Sequence, residues 1–234
     1  MVRGDIEQAF KLAGWQPAPQ WGYNTPMTNF DERAKDWDSD PMKVDRARSV
    51  ANAIRAAVDI RPGMNALEYG CGTGLLSFFL KDDFASITLA DSSEGMLEVL
   101  SDKIRTSKTA NMHPVRLDLA VDPLPAQKFD VTYSLMVLHH IPDTDAVLRK
   151  FHQILKPGGW LVVADLDRED GSFHTDGSTD VHLGFARDGL KARVEAAGFG
   201  DVRFSTAYQI KKMIDGEQKM FPVFLMTARA RQMS

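Results

Sequence analysis

The chain is expected to fold as a doubly wound α/β domain, a mostly parallel sheet of seven strands that ends in an antiparallel hairpin. Three observations predict this. Between residues 64 and 166 short apolar runs alternate with helical patterns, the order that builds parallel strands joined by right-handed crossovers. A glycine-rich turn follows the first of those runs. The last two β-like runs follow one another with no helix between them, and should pair antiparallel.

Residues 1–29 stand apart from this alternation. Ile6, Phe10 and Leu12–Ala13 make one face of a short helix stopped near Gly14, and PAPQWGYNTP, rich in Pro and Gly, reads as a loop. Ala47, Val50, Ala51, Ile54 and Val58 follow helical spacing over residues 45–58, and Pro62-Gly63 ends that element. MNALEY (64–69) is a strand, the glycine-rich turn comes next, and a helix runs from about Leu75 to Lys81. SITLAD (86–91) is a strand, EGMLEVLSDKIR (94–105) a helix, HPVRLDL (113–119) a short strand and FDVTYSLMV (129–137) a fourth strand. Asp143 or Thr144 caps a helix carrying Val147, Leu148, Phe151, Ile154 and Leu155. Pro157-Gly158-Gly159 breaks it and opens the strand WLVVADL (160–166). A polar insertion at 167–185 and a helix at about 187–197 precede DVRFSTAYQI and MFPVFLMTARA, two strands separated by KKMIDGEQK.

With 234 residues, the chain is long enough to bury a core as one domain. A formal net charge of −4 provides no overall basic field for nucleic acid. The single cysteine, Cys71, allows no internal disulfide and no cysteine-rich metal site. No apolar run approaches the roughly 20 residues of a membrane span, and MVRGDIEQAF lacks the apolar core of a signal peptide. The expectation is a cytoplasmic protein, monomer or dimer, without nucleic-acid or membrane partners.

The chemistry centres on Glu68-Tyr69-Gly70-Cys71-Gly72-Thr73-Gly74. Alternate glycines let a backbone turn sharply and approach a ligand closely. In open parallel sheets ligands bind beyond the carboxyl ends of the strands, at a switch point, and the following helix directs its N-terminus there. A nicotinamide-binding turn begins similarly. Here, however, Leu75 and Leu76 stand where the last glycine of that fingerprint could fall, and the acid Glu68 would repel a pyrophosphate. Asp91 ends the second strand, where a carboxylate accepts from both hydroxyls of a ribose. It could instead cap the next helix, a task Ser92 or Ser93 does equally well.

These segments together resemble the motifs of class I S-adenosylmethionine-dependent methyltransferases. ALEYGCGTG is similar to their first motif, ADSSEGML to the second, LDLAVDPLP to the third, FDVTYSLMVLHHIPD to the fourth, and LKPGGWLVVAD to the segment entering the fifth strand. The match covers residues 64–166 in order, and implies a Rossmann-like sheet. FDERAKDWDSDP (30–41) and DGSFHTDGSTDVHLGF (170–185) resemble features of small-molecule members (the type 11/12-like group).

The resemblance implies roles. S-adenosylmethionine is the expected cofactor, leaving as S-adenosylhomocysteine. Gly70, Cys71, Gly72 and Gly74 would wrap its methionine part and Glu68 would hold its amino end. Asp91 and Ser92 would meet the ribose, and Met96 would pack on the adenine unless it is core. Asp118 would accept from the adenine amino group, with the Leu119 amide facing a ring nitrogen, and Ser134 and Leu135 would wall the sulfonium. Residues 1–44 are expected to lid the site, and residues 45–234 to form the catalytic domain, with the 167–185 insertion over the acceptor pocket. Phe30, Trp37, Phe173, His174 and His182 are expected to line that pocket. His139 or His140 would serve as general base if the acceptor needs one. His174 and His182, eight apart, do not make a zinc pattern, so no metal is expected. The charged runs 31–33 and 36–38 read as solvated faces.

Ser134-Leu135-Met136-Val137 is not the Asn/Asp-Pro-Pro-aromatic run that handles base and amide nitrogens. The acceptor expected is therefore a small molecule with an oxygen or nitrogen nucleophile, ahead of a carbon or sulfur one. The alternatives are a non-catalytic cofactor-binding partner protein, a protein or RNA methyltransferase, and a nicotinamide dehydrogenase.

Overall fold

A computed structural model describes residues 29–174 and 181–232. The helix expected near residues 6–14 and the aromatic loop after it lie outside the described residues. A short helix α1 (Asn29–Arg33) and a 3₁₀ turn (Ala34–Ser39) lead into α2 (Pro41–Ala57). After these come β1 (Asn65–Tyr69), α3 (Leu75–Leu80), β2 (Ser86–Asp91), α4 (Glu94–Ser107) and β3 (Met112–Arg116). The chain continues through β4 (Phe129–Leu135), a 3₁₀ turn (Leu138–His140), α5 (Thr144–Ile154), β5 (Leu155–Leu166), α6 (Arg187–Ala196), β6 (Phe199–Ile214) and β7 (Glu217–Ala230). The strands form one seven-stranded sheet in the order β3-β2-β1-β4-β5-β7-β6. The first five are parallel, and β7 runs antiparallel to both β5 and β6. The expected Rossmann-like fold with its terminal hairpin is the fold observed.

Because side chains alternate across a strand, each sheet face acquires its own apolar layer. On β5, Val162 and Ala164 join Val50, Ile54, Leu76, Leu80, Ile87 and Leu100 on one face. Leu161 and Val163 join Leu67, Phe129, Leu148, Phe151, Val194 and Phe224 on the other. Among the described residues no helix is long and apolar enough to cross a membrane.

Some boundaries differ from the sequence reading for identifiable reasons. Helix α2 begins at Pro41, a turn before the apolar periodicity, because Asp40 caps it by accepting from the Met42 amide (2.9 Å) and Pro41 occupies its first position. Pro157-Gly158-Gly159 does not separate helix from strand. β5 starts at Leu155, and the register jumps from Phe129↔Leu155 to Val131↔Trp160, so the intervening residues bulge out of the ladder. β3 stops at Arg116, short of residue 119. KKMIDGEQK is not a linker: its ends belong to β6 and β7, and only Asp215-Gly216 turns the chain. Both turn residues have positive φ, 51° and 83°, as a two-residue hairpin loop needs.

Candidate functional site

The glycine-rich loop crosses from β1 to β2 at their carboxyl ends. The amides of Gly70 and Cys71 both donate to the Ala90 carbonyl (2.8 and 3.0 Å), and the Gly74 amide closes back on the Cys71 carbonyl (2.8 Å). Gly70, Gly72 and Gly74 all have positive φ. At Gly70 a Cβ would sit 2.4 Å from Val137 Cγ2, and at Gly74 2.6 Å from Leu100 Cδ1. Only glycine allows both that conformation and that proximity. The Cys71 thiol is buried, and burial pushes its pKa up, so it is an inert packing group.

Asp91 ties loop to strand. Its Oδ2 accepts from the Gly72 amide (2.7 Å) and its Oδ1 from the Ser93 amide (2.9 Å). Burial raises this carboxyl above its ordinary pKa, against the lowering effect of the Ser93, Gly72 and Ser92 amides. Ser93, not Asp91, caps α4, its hydroxyl accepting from the Met96 amide (3.2 Å). That leaves the Asp91 carboxylate at the crevice rather than in the helix. Ser92 is exposed beside it. Met96 is buried, and its sulfur would be 3.8 Å from a Cβ on Gly72, so it underlies the loop.

Glu68 lies beneath the loop, 2% exposed, and its carboxyl accepts from the Ser77 hydroxyl, which also meets the Tyr133 hydroxyl (2.6 Å). Burial pushes Glu68 up to about 8, against the Ser77 hydrogen bond and with help from the nearby Asp91 charge. At neutral pH it is largely a neutral acid. Between its ordinary value of 4.5 and about 8 the folded state therefore holds a proton that the unfolded chain has lost. This makes stability fall as pH rises through that window, by up to about 1.4 kcal/mol per pH unit. Glu68→Gln should remove that component. In denaturant titrations at pH 5.5 and pH 7.5 the wild type is expected to lose more stability than the variant, whereas equal losses would contradict a raised Glu68.

The third motif carries a feature the sequence reading missed. Tyr69, at the end of β1, is buried on the α5 face, and its hydroxyl accepts from the Leu119 amide (3.2 Å) and lies 3.5 Å from Asp118 Oδ1. The Leu119 amide thus has a protein partner that sequence alone did not predict. Asp118 Oδ1 also accepts from the Ala120 amide (2.8 Å). At the end of β4, Ser134 is buried and Leu135 half-buried, and Met136 follows at φ 59°, its amide bonded to the Ala164 carbonyl (2.8 Å). A non-glycine residue held in the left-handed region is strained, and such positions concentrate at functional sites.

Beyond β4 and β5 lies a histidine pair with a buried acid. His139 Nδ1 is 2.6 Å from Asp165 Oδ1, and the two side chains are 1% and 0% exposed. The His139 amide reaches Asp165 Oδ2 (3.3 Å) and the Leu166 amide reaches Oδ1 (2.7 Å). Burial would raise the Asp165 carboxyl, but the facing His139 and these amides outweigh it and hold the pKa below its ordinary value. Asp165 was not singled out in sequence. Its partner is 26 residues away, and only the β4–β5 pairing brings the two together.

Around this dyad the expected pocket residues gather. The ring centroids of His139 and His140 are 4.0 Å apart, and His174 is 5.3 and 5.6 Å from them. Phe30 meets His140 edge-on at 5.5 Å and Trp37 at 6.1 Å, and Phe173 meets His174 at 5.0 Å. Trp37 Nε1 would be 3.9 Å from a Cβ on Gly72, so the aromatic cluster runs continuously up to the glycine loop. His182 differs. Its amide donates to the His139 carbonyl (2.8 Å) and its Nε2 lies 2.9 Å from the Ile141 carbonyl, so it braces the 139–141 turn. The insertion is closed at its base, where Arg168 and Glu169 donate to the carbonyls of Phe185 and Leu183 (both 3.0 Å).

The acids read as a solvated face are docked instead. Asp31 Oδ1 accepts from the Ser93 hydroxyl (2.5 Å) and the Gly95 amide (2.9 Å), at the N-terminus of α4 where negative charge is favoured. Asp38 accepts from the Thr73 hydroxyl and pairs with Lys103, which also donates to the Thr73 carbonyl (2.7 Å). Residues 29–39 are thereby fastened to the glycine loop and to α4.

A family model described as a methyltransferase domain matches residues 42–206. An uncharacterized methyltransferase of Schizosaccharomyces pombe is 33% identical over 138 residues, covering 55% of this chain and 49% of that protein. A ubiquinone/menaquinone biosynthesis C-methyltransferase of Vibrio campbellii is 36% identical over 112 residues, 46% of this chain and 43% of that protein. The chain spans about half the length of the curated relatives it matches. The fold is shared with phosphoethanolamine N-methyltransferase 2 of Haemonchus contortus, solved in complex with S-adenosyl-L-methionine. The TM-score is 0.65 at 15% identity, over 88% of this chain and 61% of that one.

Proposed function

The chain belongs to the methyltransferase-domain family, and we propose that it transfers the methyl group of S-adenosylmethionine to an oxygen or nitrogen nucleophile of a small molecule. One observation carries this reading. The Gly72–Asp91 hydrogen bond at the ends of β1 and β2 and the His139–Asp165 dyad at the ends of β4 and β5 are bridged by Trp37 and Phe30. A donor site and an acceptor site would thus adjoin at the carboxyl ends of the central strands.

The residues fit that donor. The loop has no side chain at Gly70, Gly72 or Gly74 to keep a ligand from its backbone, and Asp91 offers a carboxylate suited to paired hydroxyls. Asp118 would meet the adenine amino group, with the Tyr69 hydroxyl beside it. Glu68 would ionise to face an ammonium group above the loop. When bound, the donor supplies a methyl group on a sulfonium that is already a good leaving group. The protein then needs mainly to align the nucleophile and exclude water.

Phe30, Trp37, Phe173, His140 and His174 would form the walls that do so, and residues 29–39 would hold them against the loop. His139 would take the acceptor proton at Nε2. Its Nδ1–H is held by Asp165, which fixes the tautomer and favours the imidazolium that forms. The V. campbellii relative, named for quinone biosynthesis, and the H. contortus enzyme, named for phosphoethanolamine, agree with a small acceptor. Incubation with methyl-tritiated S-adenosylmethionine and a panel of phenols, hydroxy acids and amines should label one chemical class. A protein that binds the donor yet labels none would speak for the non-catalytic alternative.

A further inference from the structure

We propose that Arg46 is an oxyanion subsite for the methyl acceptor, so that the acceptor carries a carboxylate or phosphate group. The inference rests on the methyl-transfer reading for its purpose, and on a separate observation for its substance. Arg46 projects from the N-terminal half of α2, among residues whose helix packs against β6 and β7. The residue is half-buried, its Nε is buried without a hydrogen-bond partner, and no hydrogen bond or ion pair ties the rest of the side chain to the other described residues.

The acids near it are committed elsewhere. Asp40 accepts from the Met42 amide, and Asp165 is held by His139 and the Leu166 amide. The Tyr208 hydroxyl on β6, also close, donates to Asp45 (3.2 Å). Burial lowers the Arg46 pKa from its ordinary value, and the charges of Asp40, Tyr208 and Asp165 only partly offset this. Lys43, one turn earlier on α2, adds a second positive charge and stands over the Trp37 ring at 3.6 Å.

A cationic guanidinium whose enclosed Nε–H has no acceptor is unfavourable unless something completes it. Its planar fork of donors matches a carboxylate or phosphate. Its place decides which molecule that anion belongs to. The residues acting on it electrostatically include Asp165 on β5 and Tyr208 on β6, on the acceptor side of the sheet. The glycine loop and Asp91 lie at β1 and β2. The other source of a carboxylate, the methionine part of the donor, is the contrast the experiment must resolve.

The test observes the Arg46 Nε–H signal in protein labelled with ¹⁵N-arginine, assigned by its loss in Arg46→Lys. Acetate and inorganic phosphate are titrated at constant ionic strength into protein saturated with S-adenosylhomocysteine. A saturable shift of this signal at millimolar anion, with exposed arginines following only the bulk trend, is the expected result. No saturable shift with either anion overturns the proposal. So does a shift produced by S-adenosylhomocysteine alone that then blocks the response to anions, because the donor carboxylate would be the occupant.

Arg46→Met separates a ligand site from a structural strut. The expected variant keeps its Tm and its affinity for S-adenosylhomocysteine but loses the stabilisation that phosphate confers. A lowered Tm with phosphate stabilisation intact overturns the subsite. Calorimetry with S-adenosylhomocysteine reads the methyl-transfer premise independently of the anion response.

Discussion

Replacing His139 by Gln should cut the rate of methyl transfer by about 10²–10⁴-fold, the usual contribution of a positioned general base, with donor affinity nearly unchanged. The expectation follows from the dyad. His139 Nδ1 is held 2.6 Å from a fully buried Asp165, so the proton-accepting nitrogen is the one turned away from it. Glutamine keeps a donor for Asp165, which matters because a buried carboxylate left alone costs about 3–5 kcal/mol and would confuse lost chemistry with lost folding. Asp165→Asn should lower kcat too, by letting the imidazole adopt the wrong tautomer, as a positioning residue would. A His139→Gln enzyme with an unchanged rate would show that the acceptor arrives already deprotonated and that the dyad only anchors the 138–140 turn.

Asp91→Ala should weaken S-adenosylmethionine binding by roughly 10- to 150-fold. This corresponds to the loss of about 1.5–3 kcal/mol for hydrogen bonds to a charged group. Part of that loss would come from the loop, because the Gly72 and Ser93 amides both donate to this carboxylate. Asp91→Asn separates the two contributions. It keeps an oxygen for one amide, and should retain more folding stability than Ala while still losing most of the affinity. Donor titrations by calorimetry, together with denaturant midpoints for both variants, measure the two quantities. Wild-type affinity in Asp91→Ala would remove the ribose assignment.

The features legible in the sequence are those set by local spacing. The glycines at 70, 72 and 74 and the acid ending the next strand mark the switch point without knowledge of any distant contact. The alternation of strands and helices implies the parallel sheet. The features missed depend on pairing between segments. Asp165 looks like one more polar residue closing a strand until β4 and β5 align it with His139. Tyr69 looks like an ordinary core aromatic, and its hydroxyl finds the Leu119 amide 50 residues away.

Asp31 and Asp38 belong to charge runs that in isolation suit solvent. Their partners Ser93, Gly95, Thr73 and Lys103 are all far along the chain. KKMIDGEQK carried no strand alternation because β6 is an edge strand, and the segment's Lys212 and Lys219 meet residues 170–173, far back in the chain, through the Phe173 carbonyl, Asp170 and Ser172. Arg46 is one charged residue among several on α2, and only the folded chain encloses its Nε without a partner.

Parallel calorimetric titrations of the purified protein with S-adenosylmethionine, S-adenosylhomocysteine and NAD test the central claim most directly. The glycine loop, Asp91 and the acid beneath the loop predict saturable binding of the first two at about micromolar concentration and none of NAD. Binding of NAD alone, or of none of the three, would contradict it.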